Sequence, residues 1–494
     1  MKAVQQVLGK RRAGILVHPT SLPGFGPVGT MGAEAFNFVD YMAESGLSVW
    51  QILPLGPVGV GGSPYDCRSA FAGDWRLIDL EPFVACGWLS SAEAENGQRD
   101  IQSFSQALDQ AADGFFQIAD ETEREQYQTF VCCQESWLED YALFEAISAE
   151  QGDQSWMEWP EALRLRYPDD LAQARERLDS AINRIIFRQY QFFSQWRQLR
   201  IYAHSKGIVF FGDIPFFVSQ NSADVWQHRE LFDLDDQSYP VAVSGVPPDY
   251  FSSLGQRWGN PLYQWDVMAQ DHYNWWIRRI HIQLELMDIL RIDHFRGFEA
   301  YWRIPAYCAD AREGEWILGP GAEFFAQLSR QLGKLPLVAE DLGDITPRVI
   351  ELRDAFELPG MEVMQFAFNG GEHNPHLLHH HHRQSIVYTG THDNNTIMGW
   401  WQEEATSHQK ESLMAYMAYP SESMPWPMIK LALSSTSILA IVPWQDWLAL
   451  GSEARMNIPG VSEGQWNWRF QWEMVPSGLV HQCRGLLALY DRIL

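Results

Sequence analysis

The sequence predicts an α/β fold, a (β/α)8 TIM barrel elaborated as one domain over residues 1–494. Three observations carry that expectation. Eight short β-branched and aromatic runs recur along the chain, ending at Pro, Gly or Asp. Most are continuous apolar runs rather than alternations, as in parallel strands buried on both faces. Amphipathic stretches separate several of them, as crossover helices would.

In chain order the runs are 14–17, 49–53, 208–212, 289–292, 337–339, 362–366, 386–388 and 438–442. The gap between the second and third is far longer than one crossover helix. Within it Phe130, Trp137, Leu138, Tyr141 and Phe144 share one helical face, and so do Leu178, Ile182, Ile185, Ile186, Phe193 and Trp196. Residues 80–200 are therefore expected to form a mostly helical inserted subdomain. The stretch 244–261 is rich in Gly and Pro, lacks a clear period and carries Tyr250, Phe251 and Trp258, which suits a substrate-covering loop at the C-terminal face. The consecutive residues His379, His380, His381 and His382 are read as a solvated loop, since neighbours in one run rarely supply opposed metal-ligand geometry.

Composition narrows the partners. Lys and Arg total 36 against 63 Asp and Glu, a net charge of −27 that disfavours nucleic acid and anionic membrane surfaces. A neutral partner fits better, and 13% aromatics provide flat faces suited to sugar rings as well as to a core. The six cysteines form no CxxC pair, and the first twelve residues hold no apolar run long enough for a signal peptide. No stretch is an uncharged span of membrane length, so a cytoplasmic protein with no membrane partner is expected.

In such a barrel the chemistry sits where strands end at the C-terminal face. Asp213, Asp293, Glu340 with Asp341, and Asp393 all stand there, with Arg291 and two histidines nearby. Converging acids of this kind suit either a hard-cation site or carboxylate catalysis on glycosides. Arg291 lies two residues before Asp293, on the same side of the strand, and is expected to lower its pKa and hold it ionised as a nucleophile. Glu340, after an apolar run, is placed to stay protonated as the acid/base, while Asp341 faces away as a structural acceptor. From sequence alone these roles can be exchanged.

The acids stand within longer blocks, which in chain order include Ser63-Pro64-Tyr65, Gly212-Asp213-Ile214-Pro215, Trp258-Gly259-Asn260-Pro261, Arg291-Ile292-Asp293-His294-Phe295-Arg296-Gly297, Ala339-Glu340-Asp341-Leu342-Gly343, Thr391-His392-Asp393-Asn394 and Glu453-Ala454-Arg455-Met456-Asn457. With these blocks the chain resembles a known family, the bacterial and plastidial 4-α-glucanotransferases called amylomaltases or disproportionating enzymes, related to the α-amylase superfamily. It implies that Asp293 is the nucleophile, Glu340 the acid then base, and Asp393 the carboxylate that grips sugar hydroxyls and stabilises the transition state. It further implies that Arg291, His294 and His392 line the reacting glucose, that Asp213 supports the carboxylates, and that Ser63, Tyr65, Trp258 and Asn457 contact neighbouring sugars.

The implied reaction moves a segment of an α-1,4-glucan to glucose or another maltooligosaccharide by double displacement, with no cofactor and no metal required. An α-glucan hydrolase would use the same acids, and a non-catalytic glucan-binding protein would be expected to lack one of them. The chain departs from the family pattern at Thr30 and Asn369, where many relatives carry an acid.

Overall fold

The computed structural model describes residues 3–248, 252–461 and 463–494. Eight parallel strands, Arg12–Leu16, Val49–Gln51, Val209–Ile214, Ile289–Ile292, Leu337–Ala339, Gly360–Val363, Ser385–Tyr388 and Leu439–Pro443, neighbour one another in chain order, and the eighth pairs back onto the first. Between the fifth and sixth, the Ala339 N–H donates to the Pro359 carbonyl at 2.9 Å. The fold is the expected (β/α)8 barrel. Its sixth strand, Gly360–Val363, lies earlier than the apolar run 362–366 indicates and ends at Val363, where Met364–Phe366 turns into a 3-10 helix. A continuous apolar run does not record where the extended backbone stops.

Alternation along each strand divides the apolar side chains between two cores. Leu16, Val49, Phe211, Ile289, Val338, Met361, Ile386 and Leu439 fill the barrel interior, while Ile15, Trp50, Phe210, Leu290, Leu337, Val387 and Ala440 pack outward in the larger core that includes the surrounding helices. The interior has little space. A Cβ at Gly14 would lie 2.4 Å from the Val49 carbonyl oxygen and 2.7 Å from Ile441 Cδ1. The short helix Ala3–Leu8 contributes Val4 and Leu8 to the same interior cluster.

Residues 81–205 are built mainly of helices, ending in the long helix Asp179–Ser205. The aromatic face read from Phe130 to Phe144 spans two helices, Glu121–Cys133 and Leu138–Glu150. Two buried glutamines of the long helix grip the segment that follows the second strand. Gln189 accepts from the Gly73 N–H at 2.8 Å and donates to the Gly73 carbonyl at 2.9 Å, and Gln195 does the same for Asp79 at 2.8 and 3.0 Å. An amide offers one acceptor and one donor side by side, so it replaces a missing neighbouring strand for these backbone groups.

A second sheet stands on the barrel. Its antiparallel strands are, in spatial order, Gln256–Pro261, Ala242–Val246, Ala300–Pro305 and Glu315–Leu318. The stretch expected as an irregular loop over 244–261 thus contains strand segments, and Asp249, Tyr250 and Phe251 lie outside the described residues. Gly245, Gly259, Pro261 and a register shift between Val243 and Gly245 interrupt the alternation that would have marked a hairpin.

Gln189→Leu should leave the Gly73 N–H and carbonyl unpaired in a dry environment, at about 2 kcal/mol or more. The expected result is a lower urea midpoint with the barrel's circular dichroism retained.

Candidate active site

The parallel register sets Asp213 of the third strand directly beside Arg291 of the fourth. Both side chains are buried, and the guanidinium is shared. Arg291 Nη1 donates to Asp213 Oδ2, and Nη2 donates to Asp293 Oδ1 at 2.7 Å. The Tyr65 hydroxyl also donates to Asp213 Oδ2, at 2.8 Å. Asp213 therefore sits beneath the cleft as an anchor for Arg291 and Tyr65.

Glu340 follows the fifth strand. Its Oε2 accepts the His294 N–H at 2.8 Å and its Oε1 the Leu342 N–H at 2.9 Å. His294 takes the left-handed backbone conformation, φ 51°, which is uncommon for a residue with a Cβ and often marks a functional site. Asp341 turns away, pairing with Arg353 and accepting the Met361 N–H at 2.8 Å. Asp393, in the loop after the seventh strand, receives Asn457 Nδ2 at 2.6 Å on Oδ1 and faces His392 Nε2 at 3.3 Å through Oδ2. His392 stacks on Tyr65 with centroids 4.9 Å apart.

Electrostatics separate the acids. Burial raises Glu340 to about 8, and the nearby Asp293 charge adds to the effect. Burial also raises Asp293, outweighing the attraction of Arg291. The expected lowering of Asp293 is thus corrected: Arg291 pulls that way, but its charge is divided with Asp213, and desolvation is the larger effect. Asp393 shows the opposite balance, since His392, Asn457 and Arg291 overcome the cost of burial and hold it at about 2. Burial would lower His392, yet Asp393 lifts it above its ordinary value. Burial, with a smaller contribution from Arg296, lowers His294 to about 3, so this ring is neutral.

These groups face one cleft of about 930 Å³, lined by Ser63, Tyr65, Trp258, Arg291, Asp293, His294, Glu340, His392, Asp393 and Asn457. Every expected site residue except the underlying Asp213 lies on its wall. Trp258 belongs to the second sheet and meets His294 edge-on at 4.8 Å. Among the described residues, His294 Nε2 is buried without a hydrogen-bond partner. Asn369 lines the cleft as well, its Oδ1 taken by Gln409.

Sequence reasoning missed Phe217, Trp316 and Trp466 on the same wall, and Arg296 beneath Trp316 with its guanidinium 3.9 Å from the ring centroid. Trp466 also stands 6.0 Å from Tyr65 and 5.9 Å from His392. Only Arg296 fell inside a recognised block. The aromatics arrive from segments with no motif, and no spacing marks them. The histidine run has separate partners: His379 Nδ1 meets the Tyr416 hydroxyl, His380 the Glu372 carbonyl, and His381 the Ser435 hydroxyl and the His376 carbonyl. Among the described residues no group of three or more His, Cys, Asp or Glu is arranged to hold a metal.

The 4-alpha-glucanotransferase family model matches residues 17–475. A 4-alpha-glucanotransferase of Thermus thermophilus is 47% identical over 473 residues, covering 93% of this chain and 94% of the relative. The chloroplastic/amyloplastic 4-alpha-glucanotransferase of Arabidopsis thaliana is 42% identical over 500 residues, covering 98% of this chain and 86% of its own. The amylomaltase of Streptococcus agalactiae, solved in complex with acarbose, superposes with a TM-score of 0.94 at 36% identity, covering 98% of this chain and all of that one.

Arg291→Met should strand the buried Asp213 and the part-buried Asp293 and destabilise the fold by about 3–5 kcal/mol at neutral pH. Without the cation Asp293, which burial already raises, binds a proton more readily in the folded state than in the unfolded one. The loss should therefore shrink in part as pH falls through the raised folded pKa of Asp293, which urea unfolding at pH 7 and pH 5 would measure.

Proposed function

The chain belongs to the 4-α-glucanotransferase family, and from that premise we propose how its cleft transfers an α-1,4-glucan segment. One observation supports the reading above the others: a carboxylate fixed on a guanidinium, Asp293, and a carboxyl raised to about 8, Glu340, face the same cleft. The nucleophile needs a cation beside it and the acid needs to keep its proton, and the guanidinium contact is what distinguishes the two. Asp293 Oδ attacks the anomeric carbon of the bound glucan while the Glu340 proton moves to the glycosidic oxygen, so the C–O bond breaks and the reducing-end fragment leaves. The 4-hydroxyl of an incoming glucan or glucose then displaces Asp293, giving up its proton to Glu340, and an α-1,4 bond forms with net retention.

Asp393, ionised throughout, accepts hydrogen bonds from hydroxyls of the reacting sugar and opposes the positive charge that develops at its ring. The Nε2 of the neutral His294, unpartnered among the described residues, can bond a sugar hydroxyl as donor or acceptor, according to its tautomer. Tyr65, Phe217, Trp258, Trp316 and Trp466 present apolar faces to neighbouring rings. A wall of this kind favours a second glucan over water in the acceptor position, which is what distinguishes transfer from hydrolysis. Six free thiols suit a reducing compartment, and the cytoplasm is the proposed location.

Maltotriose incubated with the protein and no added cofactor should yield longer and shorter maltooligosaccharides with released glucose. Glucose and maltose alone would mean hydrolysis. Asp293→Asn should abolish turnover, and unchanged turnover would reject the nucleophile.

The pH profile has a stated sign. Glu340 must be protonated, so kcat/KM should fall as pH rises through about 8, and Asp293 must be ionised, so it should fall again on the acid side, above the usual carboxylate range. Glu340→Gln should lower the rate by about 10²–10⁴-fold and remove the alkaline limb.

A further inference from the structure

Asp393 and Asn457 come from different loops, yet their side chains meet at 2.6 Å. What spaces them is a side chain outside the cleft wall. Arg455 Nη2 donates to the Asp393 carbonyl at 2.9 Å and its Nε to the Asn457 carbonyl at 3.2 Å. Its third contact, from Nη1, goes to Glu404 Oε1 at 3.1 Å. One planar guanidinium therefore ties the backbones of both residues to a single carboxylate.

The source of that carboxylate is unusual. Trp400–Glu404 is a π-helical turn, closed by the Ala405 N–H on the Trp400 carbonyl at 2.7 Å. Such wide turns are rare and cluster at functional sites. Here the turn lets two successive acids reach the 452–455 segment. Glu403 Oε2 accepts the Ser452 hydroxyl at 2.7 Å, while Glu404 takes Arg455 and also Asn395 Nδ2, the latter at 2.8 Å. Gly399, at the entry to the turn, has no room for a side chain, since a Cβ there would lie 2.2 Å from Asn395 Oδ1 and 2.4 Å from Ser452 Oγ.

We propose that Arg455, oriented by Glu404 of the π-turn, is the positioning residue that sets Asp393 and Asn457 for the transition state. The proposal rests on the reading of Asp393 given above. Arg455 touches no substrate in it; the guanidinium fixes where the Asp393 carboxylate points, and a displacement of about 1 Å at a catalytic group is worth about 10²-fold in rate. Because Asp393 acts most strongly when charge develops on the sugar, the loss falls on kcat rather than on KM.

The experiment is steady-state disproportionation of maltotriose by Arg455→Ala, Arg455→Lys, Glu404→Gln, Asp393→Asn and the double variant Arg455→Ala/Asp393→Asn. Arg455→Ala is expected to lower kcat by about 10²-fold with KM within about two-fold. Lysine should recover little, since an ammonium cannot make the three directed bonds, and added guanidinium ion should restore part of the alanine variant's rate. In the double variant the Arg455 change should add little to the Asp393 loss. Glu404 is half exposed and glutamine is isosteric, so Glu404→Gln keeps the test open if the arginine variants fail to fold, with a smaller fall in kcat expected. Wild-type kcat in Glu404→Gln and Arg455→Ala, a loss confined to KM, or losses that multiply independently in the double variant would overturn the proposal. An unchanged kcat in Asp393→Asn would instead reject the reading of Asp393 itself, and this inference with it.

Discussion

The shared guanidinium of Arg291 is the constraint around which the site is organised. Two carboxylates, the buried Asp213 and the part-buried Asp293 at the cleft wall, divide one cation between them, and the division fixes the geometry of both. A lysine could supply the charge but not the fork, so the angle between the two acids would be lost. The sharing also sets the electrostatics. Arg291 does not fully offset the burial of Asp293, and the residual negative charge helps keep the proton on Glu340. On the proposed mechanism an excess of negative charge is what an oxocarbenium-like transition state needs.

Around that centre the fold acts as two kinds of support. Barrel strands supply the deep residues, whose register is fixed by packing on both faces, and loops supply the residues proposed to touch the outer sugars. The long helix of the insertion serves the second group, because its glutamines hold the backbone at Gly73 and Asp79, downstream of Ser63 and Tyr65 on the same connection. Asp446 performs a similar service for the loop after the seventh strand, accepting the Thr389 hydroxyl and the Ile397 N–H while burial raises it to about 7.

What was legible in the sequence follows the same division. Barrel strands are short, apolar and bounded by turn residues, so composition alone located them, and the acids at their ends came with them. Alternation placed Arg291 and Asp293 on one side. It does not reveal that Asp213 claims half of the same cation, because that depends on the register between two strands far apart in the chain, nor that burial at the cleft outweighs that cation and raises Asp293. Trp316 and Trp466 were invisible for a related reason, as each reaches the cleft only through tertiary packing. The strands at either side of residues 249–251 were obscured by glycine, proline and a register shift.

The second sheet has a consequence for how such a protein can diverge. Its strands come from two connections, those after the third and fourth barrel strands, yet they hydrogen-bond to one another and carry a small core of their own at Val243, Ile304 and Ala311. This wall of the cleft can therefore change its side chains and its reach without altering the barrel register that holds the carboxylates. Selection for shorter or longer glucans would find its raw material there, leaving bond-breaking and chain-length preference free to evolve on separate parts of one polypeptide.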